Sequence, residues 1–263
     1  MRRKMGKMKS KRWVASMVVL MVSGTVVHAA LFHDTFNTVD TMDENANSAS
    51  RQSGGVVVSD YTAVPTTYYG ISGNKLFQSG GGELRLNANL ASGIVGNDFE
   101  IAYTLAINTS DNKWTALYLM SANENSRGTS RVGLHAWDGG NGTAYTVYYG
   151  TGAAQQSVGV TTVTMTTLLG SPFDKSDEHT LQLISTAGTG TYDFIVDGVT
   201  VLNNLAYDFS EDSSRTIGIV STMVNGGAGA TYDDLTVIPE PATGGLVAIF
   251  GAVALFVRRR FTI

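Results

Sequence analysis

Carboxylates are the residues of this 263-residue chain that could most readily carry out a reaction. Glycoside hydrolysis needs two carboxyl groups across a cleft, about 5–5.5 Å apart for retention or roughly 6.5–9.5 Å apart for inversion. Asp98 and Glu100 would share one face of a strand, but no further acid follows at a spacing that completes a catalytic set. We therefore interpret both residues as solvated surface acids.

Nucleophilic catalysis has equally little support in the sequence. Residues 30–238 contain three histidines, His33, His135 and His179, and no Gly-x-Ser-x-Gly motif. His135 lies in a run in which apolar and polar residues alternate, so we expect its side chain to point to solvent. The sequence predicts that the protein is not an enzyme.

Aromatic side chains next to small polar residues indicate carbohydrate binding instead. Sugar rings stack on flat apolar faces, while Asp and Asn side chains and backbone amides hold the hydroxyl groups. The predicted ligand site comprises Trp137, Asp138, Asn141 and Tyr145. The alternative is that aromatic residues at alternate strand positions fill a core, which we expect of Trp114 and Tyr118.

Short β-branched and aromatic runs, separated by Gly- and Asn-rich breaks, are the elements that must position these residues. Apolar residues at helical spacing are hard to find. The eleven predicted strands are 83–90, 100–107, 114–120, 131–137, 145–149, 161–168, 179–184, 192–196, 199–202, 216–222 and 231–237. The Asp197-Gly198 pair favours a type I′ hairpin turn. Segment 38–82 is predicted to be a long loop with one or two edge strands.

This pattern predicts an all-β fold, a single antiparallel β-sandwich or jelly roll spanning residues 30–237. The run 179–183, the Asp197-Gly198 hairpin and the closing run 232–237 resemble the concanavalin A-like (laminin G-like) jelly roll over residues 98–237. The resemblance implies that the first strand, 31–36, lies beside the last, 231–237.

That pairing would bring three acids together. Calcium prefers six to eight oxygen ligands, and Asp34 would lie near Asp233 and Asp234. We treat these three residues as a candidate site for a structural calcium ion, with solvated surface acids as the alternative. No other cofactor is predicted.

The end of the chain contains an apolar segment between two short motifs. Pro239, Glu240 and Pro241 precede sixteen uncharged residues, 242–257. A helix of this length reaches about 24 Å. The segment is followed by Arg258, Arg259 and Arg260. This order resembles the PEP-CTERM sorting tails of bacterial surface proteins. The resemblance implies a C-terminal transmembrane helix and an exosortase-type transpeptidase that recognises and removes the tail, 238–263.

Residues 1–29 have the three parts of a secretory signal. A basic start is followed by the apolar run 13–27, which we expect to form a signal helix. Small residues then place signal peptidase cleavage after Ala29, or after Ala30. The alternative is two ordinary membrane helices around an external domain. It would also place the middle of the chain outside the inner membrane.

The charge of the exported part excludes some partners. Residues 30–238 contain 8 of the 18 basic and 21 of the 22 acidic residues, a formal net charge of −13. Such a charge disfavours nucleic acid. The chain has no cysteine, so disulfide bonds cannot stabilise it.

These features predict an exported bacterial protein. Its tail would hold it in the inner membrane for a time, before it reaches the cell surface or extracellular matrix. We expect a structural or adhesive role, with binding of an extracellular polysaccharide as the alternative and a glycan-active enzyme as a second alternative.

Overall fold

The structure, a computed structural model, describes most of the central part of the chain. The described residues are 32–37, 52–53, 61–64, 68–86, 99–108, 114–121, 132–137, 142–151, 155–186, 188–207, 215–221 and 229–239. The predicted signal helix and the predicted transmembrane segment 242–257 lie outside these ranges. Within them, no helix is long and apolar enough to span a membrane.

The described elements are sixteen strands and one helix. The strands are β1 (Phe32–Asp34), β2 (Gln52–Ser53), β3 (Tyr61–Val64), β4 (Tyr69–Ser72), β5 (Lys75–Gln78), β6 (Gly82–Leu86), β7 (Phe99–Ile107), β8 (Trp114–Ser121), β9 (Val132–Trp137), β10 (Thr143–Tyr149), β11 (Gln156–Thr161), β12 (His179–Thr186), β13 (Thr191–Val196), β14 (Val199–Ala206), β15 (Arg215–Ser221) and β16 (Ala230–Pro239). The helix is α1 (Thr162–Leu169), between β11 and β12.

The strands form two antiparallel sheets that pack into a sandwich. The nine-stranded sheet has the order β14-β13-β12-β7-β16-β1-β2, and β5 pairs with both β16 and β4. The seven-stranded sheet has the order β11-β10-β9-β8-β15-β6-β3. This arrangement confirms the predicted antiparallel β-sandwich.

The core lies between the sheets and follows the two-residue period of the strands. In β7, Phe99, Ile101, Tyr103 and Leu105 are buried, whereas the alternate residues Glu100 and Thr104 are half-buried. Burying such apolar side chains contributes roughly 1.5–3 kcal/mol each. With no cysteine present, this burial is the main source of stability.

Two predicted features, one long-range strand pairing and one local turn, are confirmed. Strand β1 pairs with β16, with Phe32 opposite Val237 and Asp34 opposite Leu235. Asp197 and Gly198 connect β13 and β14 with φ angles of 50° and 78°, the positive values that a type I′ turn requires.

The predicted strand 161–168 is wrong, because most of this segment is helix α1. Its β-branched residues favour a strand, but capping interactions at both ends hold a helix. The Thr161 hydroxyl accepts the backbone N–H of Thr164 at 3.1 Å. Gly170 ends the helix in the left-handed conformation, and its N–H bonds the Thr166 carbonyl. Met165 is the helix residue that enters the core.

Segment 38–82 contains more regular structure than predicted. Strands β4 and β5 form a hairpin around Gly73 and Asn74, with φ angles of 61° and 62°. Strand β5 then continues the nine-stranded sheet by pairing with the start of β16. Lys75 forms an ion pair with Glu178, which ties the hairpin to the segment before β12.

Buried polar side chains join the two sheets. Thr115 of β8 donates its hydroxyl to Gln78 Oε1 at 2.6 Å, and it also bonds the Tyr232 hydroxyl. The Gln78 amide donates to the Tyr69 hydroxyl at 2.8 Å. Burial raises the pKa of Tyr69 and of Tyr232, so both remain neutral. A buried amide or hydroxyl is costly without a hydrogen bond, so this chain of bonds favours one alignment of the sheets.

Replacing Thr115 tests the contribution of this network. Thr115→Val keeps the side-chain shape but removes the donor to Gln78, so we expect the free energy of unfolding in urea to fall by about 1–3 kcal/mol. Thr180→Val, at an exposed position of β12, is the matched control and should change it by less than about 0.5 kcal/mol. Equal stability of Thr115→Val and the wild type would contradict a structural role for the network.

Candidate functional site

The central strand β8 is buried on both faces. The side chains of Thr115, Leu117 and Leu119 face the core. Because successive strand residues point to opposite faces, the remaining described side chains lie on the outer face of the seven-stranded sheet. There they form a group separate from the main core. With two residues of neighbouring strands this group, the outer-face cluster, comprises Trp114, Ala116, Tyr118, His135 and Tyr148.

His135 of β9 is at the centre of the outer-face cluster. Its ring stacks on Trp114, with ring centroids 4.3 Å apart and planes at 8°. Its Nε2 bonds the Tyr118 hydroxyl, and its Nδ1 lies 3.4 Å from the Tyr148 hydroxyl. A neutral imidazole has one donor and one acceptor, and hydroxyl groups can serve as either, so both ring nitrogens are satisfied.

These contacts correct two expectations from the sequence. His135 points away from the core as predicted, but it is only 5% exposed, because aromatic neighbours surround it. Trp114 and Tyr118 are buried as predicted, but in the outer-face cluster rather than in the core. The signal in the sequence was the alternation of these two aromatics with Leu117 and Leu119.

Gly133 makes room for the Tyr118 ring. The two residues are opposite each other on neighbouring strands, and a Cβ atom on Gly133 would lie 2.4 Å from Tyr118 Cδ1. The ring therefore lies over the bare backbone of β9. This position brings the Tyr118 hydroxyl to His135.

The same face also carries an ion pair. Arg85 of β6 donates from Nη2 to Glu83 Oε1 at 2.6 Å, and both side chains are half-buried. The register places Gly218 of β15 between Tyr118 and Arg85. With strands about 4.8 Å apart, the ion pair is roughly 10 Å from the aromatic rings. The face thus combines apolar rings with a charged acceptor and a charged donor.

The predicted ligand site is only partly within the described residues. The backbone of Trp137 ends β9 opposite Trp114, whereas Asp138 and Asn141 lie outside the described residues. Tyr145 is 3% exposed, and its ring packs edge-on against Phe194 and Phe173 in the core. Tyr145 therefore fills the core, which corrects its assignment as a ligand contact.

The three predicted calcium ligands are not brought together. Asp34 is fully buried on the core side and accepts the backbone N–H of Phe36 at 3.0 Å. Asp234 is exposed and accepts a 2.6 Å hydrogen bond from His33. Partial burial raises the pKa of Asp233. No group of three His, Cys, Asp or Glu side chains in the described part of the chain is arranged to hold a metal ion.

The predicted sorting motif begins at the end of the last strand, β16. Pro239 ends β16 opposite Phe99, two residues beyond the predicted domain boundary at 237. The other predicted processing residues lie outside the described ranges; they are Ala29, Glu240, Pro241, Arg258, Arg259 and Arg260.

Comparison with solved structures finds proteins of similar fold. The chain is similar to a glycosyl hydrolase family protein from Mycobacterium fortuitum, with 11% identity and a TM-score of 0.50 over 79% of this chain and 99% of that one. It is also similar to the Trypanosoma rangeli sialidase, with 12% identity and a TM-score of 0.51 over 79% of this chain, and it spans 30% of that protein's length. A carbohydrate-binding module from Bacillus subtilis matches at 10% identity and a TM-score of 0.40 over 62% of this chain and 85% of the module.

The first two similarities show a shared β-sandwich fold. They agree with the jelly roll expected from the sequence. No protein-family model matches the chain, and no curated protein matches it.

A substitution at Gly133 tests the packing of the outer-face cluster. Gly133→Ala would push the Tyr118 ring from its place and break its bond to His135, so we expect a loss of about 1–3 kcal/mol in the free energy of unfolding. Gly159→Ala is the matched control, because its Cβ would meet only Thr143 Cγ2, at 3.9 Å. If both variants unfolded at the same urea concentration, the Tyr118 packing described above would be wrong.

Proposed function

We propose that this chain is an exported surface protein whose β-sandwich binds carbohydrate at the outer face of the seven-stranded sheet, and that this binding gives it an adhesive role. The observation that carries the proposal is the presence of the outer-face cluster and the Glu83–Arg85 ion pair on one face. Sugars present both apolar C–H faces and hydroxyl groups, which match these two kinds of surface. The sandwich fold is compatible with this ligand class.

The polar groups indicate which carbohydrates fit. Glu83 can accept a sugar hydroxyl and Arg85 can donate to one, and hydrogen bonds to charged groups are the stronger kind. The ion pair as a whole is neutral, while residues 30–238 carry a formal charge of −13 that repels anionic polymers. A neutral polysaccharide is therefore the proposed ligand.

The geometry favours binding over hydrolysis. Among the described residues of this face, Glu83 is the one carboxylate, and it is paired with Arg85. A glycosidase needs two carboxyl groups in defined separation. On the nine-stranded sheet, Glu100 accepts a hydrogen bond from Gln182 at 3.2 Å, which fits a structural role. We therefore propose a binding protein rather than an enzyme.

A purely structural role is the second candidate, and burial is the observation that favours it. Trp114 is 8% exposed and Tyr118 is 1% exposed. In that case the rings would stabilise the sheet, and the adhesive surface would lie elsewhere. Binding through the half-buried Tyr148, Glu83 and Arg85 side chains distinguishes the first candidate from the second.

A glycan array tests the binding proposal. We expect the protein to bind neutral polysaccharides, and Glu83→Gln to weaken binding about tenfold, since a charged hydrogen bond contributes about 1.5–3 kcal/mol. Trp137→Ala should also weaken it, because this residue lies opposite Trp114 in the register.

Glu100→Gln is the matched control, because it alters a half-buried glutamate on the other sheet. It should bind like the wild type. Unchanged binding in Glu83→Gln would argue against the outer-face site. Equally weakened binding in Glu83→Gln and in the control Glu100→Gln would also argue against it. Glycan cleavage that disappears in Glu100→Gln would overturn the proposal of a non-enzymatic protein.

The terminal segments support a proposal about export. A signal peptidase would cleave after Ala29, and an exosortase-type transpeptidase would remove the tail near Pro239–Pro241, leaving the domain at the cell surface or in the matrix. The inner membrane would hold the protein only before this step.

Mass spectrometry of the surface-bound protein tests this processing. We expect no peptide from beyond Pro239–Pro241, since the tail would stay in the membrane after cleavage. Recovery of Arg258–Arg260 in the surface-bound form would instead indicate a retained membrane anchor.

A further inference from the structure

One side of the sandwich is built from β10, β11, α1 and β14. Among the described strands, β14 is at one edge of the nine-stranded sheet and β11 is at one edge of the seven-stranded sheet. Helix α1 contacts β10, β11 and β14, and its Met165 enters the core. The Gly150 N–H bonds the Ala206 carbonyl at 2.8 Å, so the end of β10 also meets the end of β14. We call this surface the α1 side.

The α1 side is uncharged, although the domain as a whole is strongly acidic. Residues 30–238 contain 29 charged residues in 209, or about one in seven. The 35-residue run 139–173, which contains β10, β11 and α1, has no Asp, Glu, Lys, Arg or His, and neither has β14. Acids lie at the rim: Asp174 follows α1, Asp197 precedes β14 and Asp208 follows it. A polar rim around an uncharged centre is the usual arrangement of a protein interface.

Helix α1 exposes apolar groups at the centre of this side. Val163 is 76% exposed and Leu168 is 40% exposed, and they are the two exposed large apolar side chains in the described part of the chain. The threonine hydroxyls have partners within the helix and its cap. Thr167 donates to the Val163 carbonyl at 2.9 Å, and the Thr161 and Thr164 hydroxyls bond each other at 2.9 Å. Because these hydroxyls are already bonded, a partner can cover them at little cost.

A second copy of this chain is the partner that the charge distribution favours. In a two-fold dimer the same surface of each copy faces itself. With a formal charge of −13 on residues 30–238, most such pairings would place carboxylates of the two copies against each other. The α1 side can meet itself without this repulsion, and its exposed apolar groups would be covered.

The size of the α1 side predicts a weak contact. Strand β14 has eight residues, which span about 26 Å. Two sheets about 10 Å apart, with their outward side chains, make this side roughly 20 Å wide. Two copies would then bury roughly 1,000 Å² in total, which is near the lower limit for a specific interface.

We propose that two copies of the chain associate reversibly through their α1 sides. Each dimer carries two outer faces of the seven-stranded sheet, and two linked sites hold a polymer more firmly than one because the second contact forms at high effective concentration. This gain in attachment rests on the proposed function, whereas the dimer itself does not.

Sedimentation velocity of the full chain in detergent tests the dimer, at roughly 1–200 μM protein, a range that suits a weak interface. Val163→Asp places a charge at the centre of the α1 side. It should leave the fold intact, because Val163 is exposed and an acidic side chain in the first turn of a helix is favourable. Ser72→Asp is the matched control. It adds the same charge at an exposed position of β4, on the other side of β16 from β14.

We expect the wild type and Ser72→Asp to dimerise with similar dissociation constants. Val163→Asp should raise the constant about tenfold or more, because the dimer would bury an unpaired charge. Higher salt should strengthen the wild-type dimer, since it screens the repulsion between two acidic domains. A monomer at every concentration, or equal dissociation constants for Val163→Asp and Ser72→Asp, would overturn the proposal. A dimer that higher salt dissociates would also overturn it, because charged surfaces would then hold the two copies together.

Discussion

The hydrogen bonds of the Thr115 hydroxyl join the two sheets, and the position of the outer-face cluster depends on them. Thr115 lies on the seven-stranded sheet and bonds Gln78 and Tyr232 of the nine-stranded sheet, and all three residues are buried. Turning β8 over would place this hydroxyl outside and leave the Gln78 amide oxygen without that donor, at a cost of about 1–3 kcal/mol. Together with the burial of Leu117 and Leu119 on the same side of the strand, the bond therefore fixes which face of β8 is inside. Since the strand period is two, it also fixes Trp114 and Tyr118 on the outside.

The outer face of the seven-stranded sheet has side chains that a purely structural sheet would not need. A typical outer sheet face is polar and solvated, but here aromatic rings pack around a histidine whose two ring nitrogens meet tyrosine hydroxyls. Gly133 gives the Tyr118 ring its place. On the same face, roughly 10 Å from the rings, Glu83 adds a charged acceptor and Arg85 a charged donor.

The sequence was sufficient to predict features that depend on local chemistry or simple alternation. The all-β class and the Asp197-Gly198 turn are confirmed. The pairing of β1 with β16 is confirmed as well, but that expectation came from the resemblance to the concanavalin A-like jelly roll and not from local chemistry. Helix α1 was missed because strand propensity outweighed a Thr cap and a closing Gly. The Gly73-Asn74 turn was a hairpin signal that could have been used. For the outer-face cluster, the alternation of Trp114 and Tyr118 with Leu117 and Leu119 separated the two faces of the strand, but it did not say which face meets the other sheet.

Nuclear magnetic resonance of the histidine side chains would test most directly whether the outer-face cluster binds carbohydrate. The chain has four histidines, and His135 is the one in this cluster, whereas His179 of the nine-stranded sheet bonds Asp197 in the β13–β14 turn. On titration with a neutral oligosaccharide retained on the glycan array, we expect the His135 imidazole signals to shift and saturate while those of His179 stay unchanged. Saturable binding without any shift of His135, or with a shift of His179 instead, would contradict a ligand site on this face.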